Sequence, residues 1–308
     1  MGSPVGEDAL GSGPMGPARF VTVGGIRTRY FEAGSGEPLV LVGGGHFGSP
    51  YAASDWDLNL PALAKDFRVI ALDKLGQGFT DNPLQADDYV IGSAVQHLRD
   101  FLAVLDVSSA HLVGHSRGGY AVCRLAMESP AVVRSLVVVD SGSLMHDWSA
   151  FYPALTERMS AIEDVRERYE YAIAEQSHAE SMASEYWLQD ILSFATSEKY
   201  VEASKTLESR MTEFQEDLVQ RQSEARDWIR SGGLGSTPVL LVWAYNDLGA
   251  PIDECGIPAL HLFLGSTPNS RMHIFNRSGH FPYREWPQEF NELVGRFVAG
   301  VASGPLDV

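Results

Sequence analysis

Gly114-His115-Ser116-Arg117-Gly118 follows the apolar run Ala110-His111-Leu112-Val113 and leads directly into Gly119-Tyr120-Ala121-Val122-Cys123-Arg124-Leu125-Ala126. The order is strand, G-x-S-x-G, helix, the context in which a serine is carried on a sharp turn above a sheet. A serine hydroxyl is a weak nucleophile until it is lifted off the sheet, aimed at a base and set against a helix N-terminus. Gly114 and Gly118 leave room for such a turn, because a Cβ at either position would crowd the strand or the helix. The five residues alone would fit a glycine-rich turn equally well. The flanking strand and helix favour Ser116 as a nucleophile.

Outward from this turn, short β-branched apolar runs recur at Pro38–Val42, Phe67–Leu72, Ala110–Val113 and Ser135–Val139, with helical stretches at Leu58–Lys65, Ile91–Leu105 and Gly118–Met127. Strands alternating with helices predict a mostly parallel sheet covered on both faces. Arg19–Val23 and Ile26–Glu32 flank Gly24-Gly25, a hairpin signal. Residues 1–18 are rich in Gly, Pro and Ser and read as a disordered tail. Strand runs vanish over 144–232, where Thr156–Glu170, Glu198–Arg210 and Glu213–Arg230 are charged and helix-forming. The sheet pattern resumes at Pro238–Trp243 and Arg271–Phe275, and a last helix is predicted over Gln288–Val298. The helical block therefore interrupts one α/β domain, made of 19–143 and 233–304. It is expected to cap the carboxyl ends of the strands, where such sheets place their sites.

A nucleophilic serine needs a base, and the base needs an orienting acid. With the order Ser, Asp or Glu, then His, two downstream positions answer. Asp247 follows the strand ending at Trp243, and His280 follows the strand Arg271–Phe275, so both lie at the same sheet edge as Ser116. Asp140, at the end of the strand before the helical block, is the rival acid. His115 is expected to point away from the nucleophile, while His97, His111, His261 and His273 read as structural. Two backbone N–H groups are needed for a developing oxyanion. One is expected from Arg117, the other from the glycine loop Gly43–Gly48 after Pro38–Val42, with Gly45 preferred and Gly44 its alternative. The Arg117 guanidinium reads as an ion pair outside the site. No metal-ligand spacing such as H-E-x-x-H occurs, and the glycine loop lacks a Gly-Lys-Ser/Thr ending, so neither a metal nor an organic cofactor is expected.

Bulk properties narrow the class. A chain of 308 residues with 44% hydrophobic and 10% aromatic content can bury a large core. A net charge of −17 argues against nucleic acid as partner. No apolar run approaches membrane-spanning length and no secretory leader is apparent, so neither a membrane nor export is expected. Cys123 and Cys255 form no C-x-x-C, which fits two inert thiols in the cytoplasm. A homodimer is left open.

Together, Gly43–Gly48, the turn Asp73-Lys74-Leu75-Gly76-Gln77-Gly78-Phe79-Thr80-Asp81, the Ser116 elbow, Asn246-Asp247 and Gly279-His280 resemble the α/β-hydrolase superfamily over residues 19–302. The turn looks like the family's D-x-x-G-x-G-x-S, with Thr80 in place of serine. The resemblance implies an eight-stranded, mostly parallel sheet, an inserted helical cap and a Ser116–His280–Asp247 triad. Within the superfamily the chain is similar to bacterial capped hydrolases, including esterases and the carbon–carbon hydrolases of ring-fission products. Three departures stand out. Gly43 occupies a position where a histidine is common, with His46 a few residues later. His115 and Arg117 stand where the carbon–carbon hydrolases carry asparagine and methionine. A cap arginine gripping a substrate carboxylate is implied, among Arg210, Arg221, Arg226 and Arg230. The expected reaction is hydrolysis of an ester or lactone of a small-to-medium apolar substrate through an acyl-enzyme. Carbon–carbon hydrolysis of a vinylogous diketone is the alternative, and a non-catalytic receptor the reading of another class. Gly44, His46, Phe47, Trp148, Trp187 and Phe281 are the expected substrate contacts.

Overall fold

A computed structural model describes residues 13–145, 149–179 and 183–302. Eight strands form one sheet: β1 (Arg19–Val23), β2 (Ile26–Ala33), β3 (Pro38–Val42), β4 (Arg68–Leu72), β5 (Ala110–His115), β6 (Val133–Val139), β7 (Val239–Ala244) and β8 (Ser270–Phe275). Their order is β1-β2-β4-β3-β5-β6-β7-β8. β2 runs antiparallel to β1 and β4, and the pairings from β4 through β8 are parallel. Gly24 and Gly25 take φ of 58° and 89°, the two positive values that a tight hairpin demands and only glycine adopts without strain.

Alternation along the central strands explains the two packed layers. Val40 and Val42 of β3 enter one core cluster and Leu39 and Leu41 the other, because successive strand side chains point to opposite faces. Helices Ile91–Val104 and Arg117–Glu128 cover the first face through Val95, Phe101, Tyr120 and Leu125. Leu60 and the helix Pro287–Ala302, through Phe290, Val294 and Val298, cover the second. Among the described residues no helix is long and apolar enough to cross a membrane.

Between β6 and β7 lie the helices Phe151–Ser160, Val165–Glu175, Glu185–Ala195, Glu198–Ser209 and Met211–Arg230. The continuous helix predicted over Thr156–Glu170 is two helices. Asp164 breaks it, its side chain accepting from Glu167 N as an N-cap, a role for which a short acidic side chain competes against the helix interior. Ser184 and Ser197 cap the next two helices in the same way. The helix Glu185–Ala195 escaped the sequence reading. Of the predicted tail, residues 13–18 are described, and Met15 is buried in the core.

Two buried arginines tie this helical segment to the sheet. Arg29 on β2 bonds Asp73 at 2.6 Å and 3.2 Å and Asp190 at 2.8 Å and 2.9 Å. Arg284 donates to Asp57 at 2.6 Å, and its guanidinium lies 3.9 Å over the Trp187 ring. Trp187 Nε1 in turn donates to Asp55 at 2.7 Å. Replacing Arg29 by leucine leaves two buried carboxylates facing each other. Urea unfolding of Arg29→Leu is expected to show a loss of about 3–5 kcal/mol.

Candidate active site

The parallel strands deliver three residues to one edge. Ser116 follows β5 with φ 52° and ψ −120°, a strained conformation costing of order 1–3 kcal/mol. Its surroundings enforce it. An added Cβ at Gly114 would lie 2.3 Å from Gly118 O, and one at Gly118 would lie 2.3 Å from Val42 O. Ser116 N donates to Val139 O at 2.8 Å, and Ser141 Oγ donates to Ser116 O at 2.7 Å. The helix Arg117–Glu128 starts at the next residue, so its N-terminus lies under the hydroxyl.

His280 Nδ1 meets Asp247 Oδ2 at 2.7 Å, with both residues buried. Gly249 N and Ala250 N donate to Asp247 Oδ1 at 2.7 Å and 3.0 Å, which orients the carboxylate. The backbone around the imidazole is equally constrained. His280 N donates to Gln176 O at 2.7 Å, and His115 Nε2 donates to His280 O at 2.7 Å. Burial and the neighbouring His280 ring push His115 well below the usual imidazole range, so it is neutral. With Nε2 as donor, His115 Nδ1 accepts from Tyr283 Oη at 3.3 Å. His115 therefore points away from Ser116 and props the base's loop.

Asp140, the rival acid, is bonded elsewhere. Its Oδ1 accepts from Ala244 N at 2.8 Å. Burial, reinforced by the charge of Asp247, raises its pKa well above the carboxylate range. Asp140 is thus tied to the β7 backbone, and Asp247 is the acid that meets His280 Nδ1.

The glycine loop faces the elbow. A Cβ on Gly44 would lie 3.2 Å from Ser116 Cβ, and Gly45 has a φ of 71°. Lys74 Nζ donates to Gly43 O and Gly44 O at 2.5 Å each and to Gly45 O at 3.3 Å. Burial draws its pKa down to about 7, against the pull of Asp55. The Arg117 guanidinium lies 5.1 Å from the Phe214 ring of the helix Met211–Arg230. Burial lowers its pKa to about 10, opposed by the Tyr152 phenol. His46 drops to about 3 through burial and the Arg117 charge, so it is a neutral ring whose Nδ1 contacts Phe47 O at 2.9 Å. The four cap arginines are engaged away from the elbow: Arg210 with Asp87, Arg221 with Asp217, Arg230 with Asp227, and Arg226 with the Leu144 and Met145 carbonyls.

Of the expected substrate contacts, Gly44 and His46 lie by the elbow, while three aromatic rings are packed instead. Phe47 is buried against Tyr89 and Phe214, and Trp187 and Phe281 are fully buried against each other and Tyr51. Trp148 lies outside the described residues. Three site residues were missed. Tyr152, from the helix Phe151–Ser160, holds its Oη 3.1 Å from His280 Nε2. Lys74 and Gln77 hold the glycine loop. No local pattern marks Tyr152, because its approach depends on how the helical segment folds back. Lys74 carried a signal, a lone cation just after a buried strand. Among the described residues no group of three or more His, Cys, Asp or Glu is placed to hold a metal ion.

The fold is that of a known family. Residues 37–285 match the model of the alpha/beta hydrolase fold, and the chain belongs to that family. It is an enzyme of that fold. A 2-hydroxy-6-oxo-6-(2'-aminophenyl)hexa-2,4-dienoic acid hydrolase of Metapseudomonas resinovorans is 26% identical, covering 91% of this chain and 90% of its own. A 2-hydroxy-6-oxo-2,4-heptadienoate hydrolase of Pseudomonas putida is 28% identical, covering 91% and 96%. The solved structure of a serine hydrolase from the polyaromatic hydrocarbon-degrading bacterium Cycloclasticus zankles superposes with a TM-score of 0.72 at 22% identity, covering 94% of this chain and 99% of that one. At that identity the superposition speaks to the fold alone.

The Tyr152 contact has a kinetic consequence. With Nδ1–H on Asp247, Nε2 is the acceptor of the Tyr152 hydroxyl and of any proton leaving Ser116, so the two compete. The tautomer follows from the hydrogen-bond network. Removing one hydrogen bond of about 0.5–1.5 kcal/mol frees the base. Tyr152→Phe is expected to react with a small fluorophosphonate roughly 2- to 10-fold faster than wild type, measured by stopped-time labelling.

Proposed function

We propose that this protein is a serine hydrolase that cleaves a carbon–carbon bond in a carboxylate-bearing vinylogous diketone. Ser116 Oγ attacks the ketone carbonyl and His280 Nε2 takes its proton, with Asp247 holding the imidazole. The oxyanion forms against the N–H groups of Gly45 and Arg117. Collapse breaks the carbon–carbon bond, and its electron pair is delocalised into the conjugated fragment, which His280 protonates on carbon. The same imidazole then deprotonates a water that hydrolyses the acyl–Ser116 ester, regenerating the serine.

The observation that carries the substrate class is that two relatives, each aligned over 91% of this chain, are named for the hydrolysis of dienoic acids, which bear their own negative charge. Arg117, next to Ser116 in the chain and with its guanidinium 5.1 Å from the Phe214 ring, is the side chain we assign to that charge. An ester or lactone of an apolar acid, expected from the triad alone, needs no such cation and is the competing substrate.

Two experiments test this reading. Ser116→Ala is expected to abolish turnover while retaining the wild-type fold. Asp247→Asn should lose about ten-thousand-fold in kcat, the worth of an orienting carboxylate in such triads. Asp140→Asn should lose far less, and the reverse order would reassign the acid. A ring-fission dienoate and a panel of simple esters, assayed side by side, should show kcat/KM favouring the dienoate. Arg117→Met should weaken the dienoate roughly 10- to 100-fold, the worth of a charged hydrogen bond, and leave neutral esters nearly unchanged. Esters preferred over the dienoate, with no selective effect of Arg117→Met, would overturn the substrate class.

A further inference from the structure

We propose that Lys74 is a positioning residue of the oxyanion hole, gathering the carbonyl oxygens of Gly43, Gly44 and Gly45 behind the glycine loop and so turning the loop's N–H groups toward Ser116. The inference rests on the reading of Ser116 as the nucleophile.

Lys74 stands two residues beyond the end of β4, and it is 6% exposed. An ammonium carries three N–H donors and no acceptor. Here the three acceptors are consecutive carbonyls of one loop, and among the described residues they are its whole hydrogen bonding. A planar trans peptide holds its C=O and N–H on opposite sides. With the Gly43 and Gly44 oxygens drawn to Nζ, the N–H groups of Gly44 and Gly45 face the other way. Gly44 is also the loop residue that lies against Ser116, where an added Cβ would come within 3.2 Å of the serine Cβ.

The loop needs such a constraint. Three successive glycines have little backbone preference, and Gly45 sits at a φ of 71°. Gln77 Nε2 adds a neutral donor to Gly44 O at 3.1 Å and ties the same amide to Tyr51 O at 3.1 Å. Donors on the carbonyl side also polarise the peptide units they hold, which strengthens the N–H groups of those units as donors. A donor that is already aimed costs nothing to reorient when charge develops on the substrate oxygen. A lysine ordinarily pairs with a carboxylate when buried, and this one spends its donors on a loop.

Fluorophosphonate labelling tests the inference, because phosphonylation also develops charge on an oxygen in the oxyanion hole. The experiment measures the maximal rate and the half-saturating concentration separately, with wild type, Ser116→Ala, Lys74→Met, Lys74→Arg and Gln77→Leu. Lys74→Met keeps the volume and loses the donors. Its maximal rate is expected to fall roughly 10²- to 10³-fold, the range for an oxyanion-hole donor, with half-saturation within about twofold of wild type. Lys74→Arg should recover part of the rate. Gln77→Leu should lose roughly 2- to 10-fold. A Lys74→Met protein with wild-type circular dichroism and wild-type labelling rate overturns the clamp and leaves the nucleophile reading intact. Should Lys74→Met not fold, an unchanged rate in Gln77→Leu overturns the clamp instead. A wild type that labels as well as Ser116→Ala overturns the nucleophile reading, and the clamp with it.

Discussion

The backbone at Ser116 is the constraint on which the site depends. A φ of 52° with ψ of −120° is unfavourable for any residue with a side chain. It persists because neighbouring chain leaves no alternative. Gly118 lies close enough to Val42 O, and Gly114 to Gly118 O, that a single methyl group at either would collide with backbone. Those contacts bring β3, β5 and the helix Arg117–Glu128 into van der Waals register. One result is a hydroxyl raised above the sheet. Another is that the loop after β3 passes directly over it. The glycine loop and Ser116 are thus adjacent because the strands carrying them are adjacent, β3 beside β5.

Around that point the site is polarised by its surroundings. On one side, Asp247 holds His280, while Asp140 is bonded to Ala244 N. On the other, the Lys74 amine sits behind the glycine loop and the Arg117 guanidinium stands next to the elbow. Both have their pKa values pulled down by burial, which is the mark of charges kept from water. The neutral His46 and His115 rings follow from the same low-water environment.

The helical segment enters this chemistry through few contacts. Gln176 O accepts from His280 N, and Tyr152 Oη reaches Nε2. Meanwhile Arg29 and Arg284 bolt the helix Glu185–Ala195 to the sheet through Asp190 and the Trp187 ring. One end of the segment is thereby anchored by buried charge, and the helix Phe151–Ser160 brings a single hydroxyl to the base. Phe47, Trp187 and Phe281 pack this junction, which explains why aromatic residues read as substrate contacts are buried against one another.

By itself the sequence marked the α/β alternation, the elbow at Ser116, and the Asp247 and His280 that the fold brings into contact. These signals are local. A strand's apolar run, a glycine beside a serine and an acid or histidine just past a strand end are each legible within a few residues. The tertiary structure decided what depends on distant segments meeting. It set Asp247 against His280 Nδ1 and tied Asp140 to Ala244 N instead. It turned Arg117 toward Phe214, set Tyr152 on His280 and placed Lys74 behind the glycine loop. It also split Thr156–Glu170 at Asp164, where a capping carboxylate outweighs helix periodicity. Hydrogen bonds and charges act over a few ångströms in space, whatever the separation in sequence, and a pattern confined to neighbouring residues cannot register them.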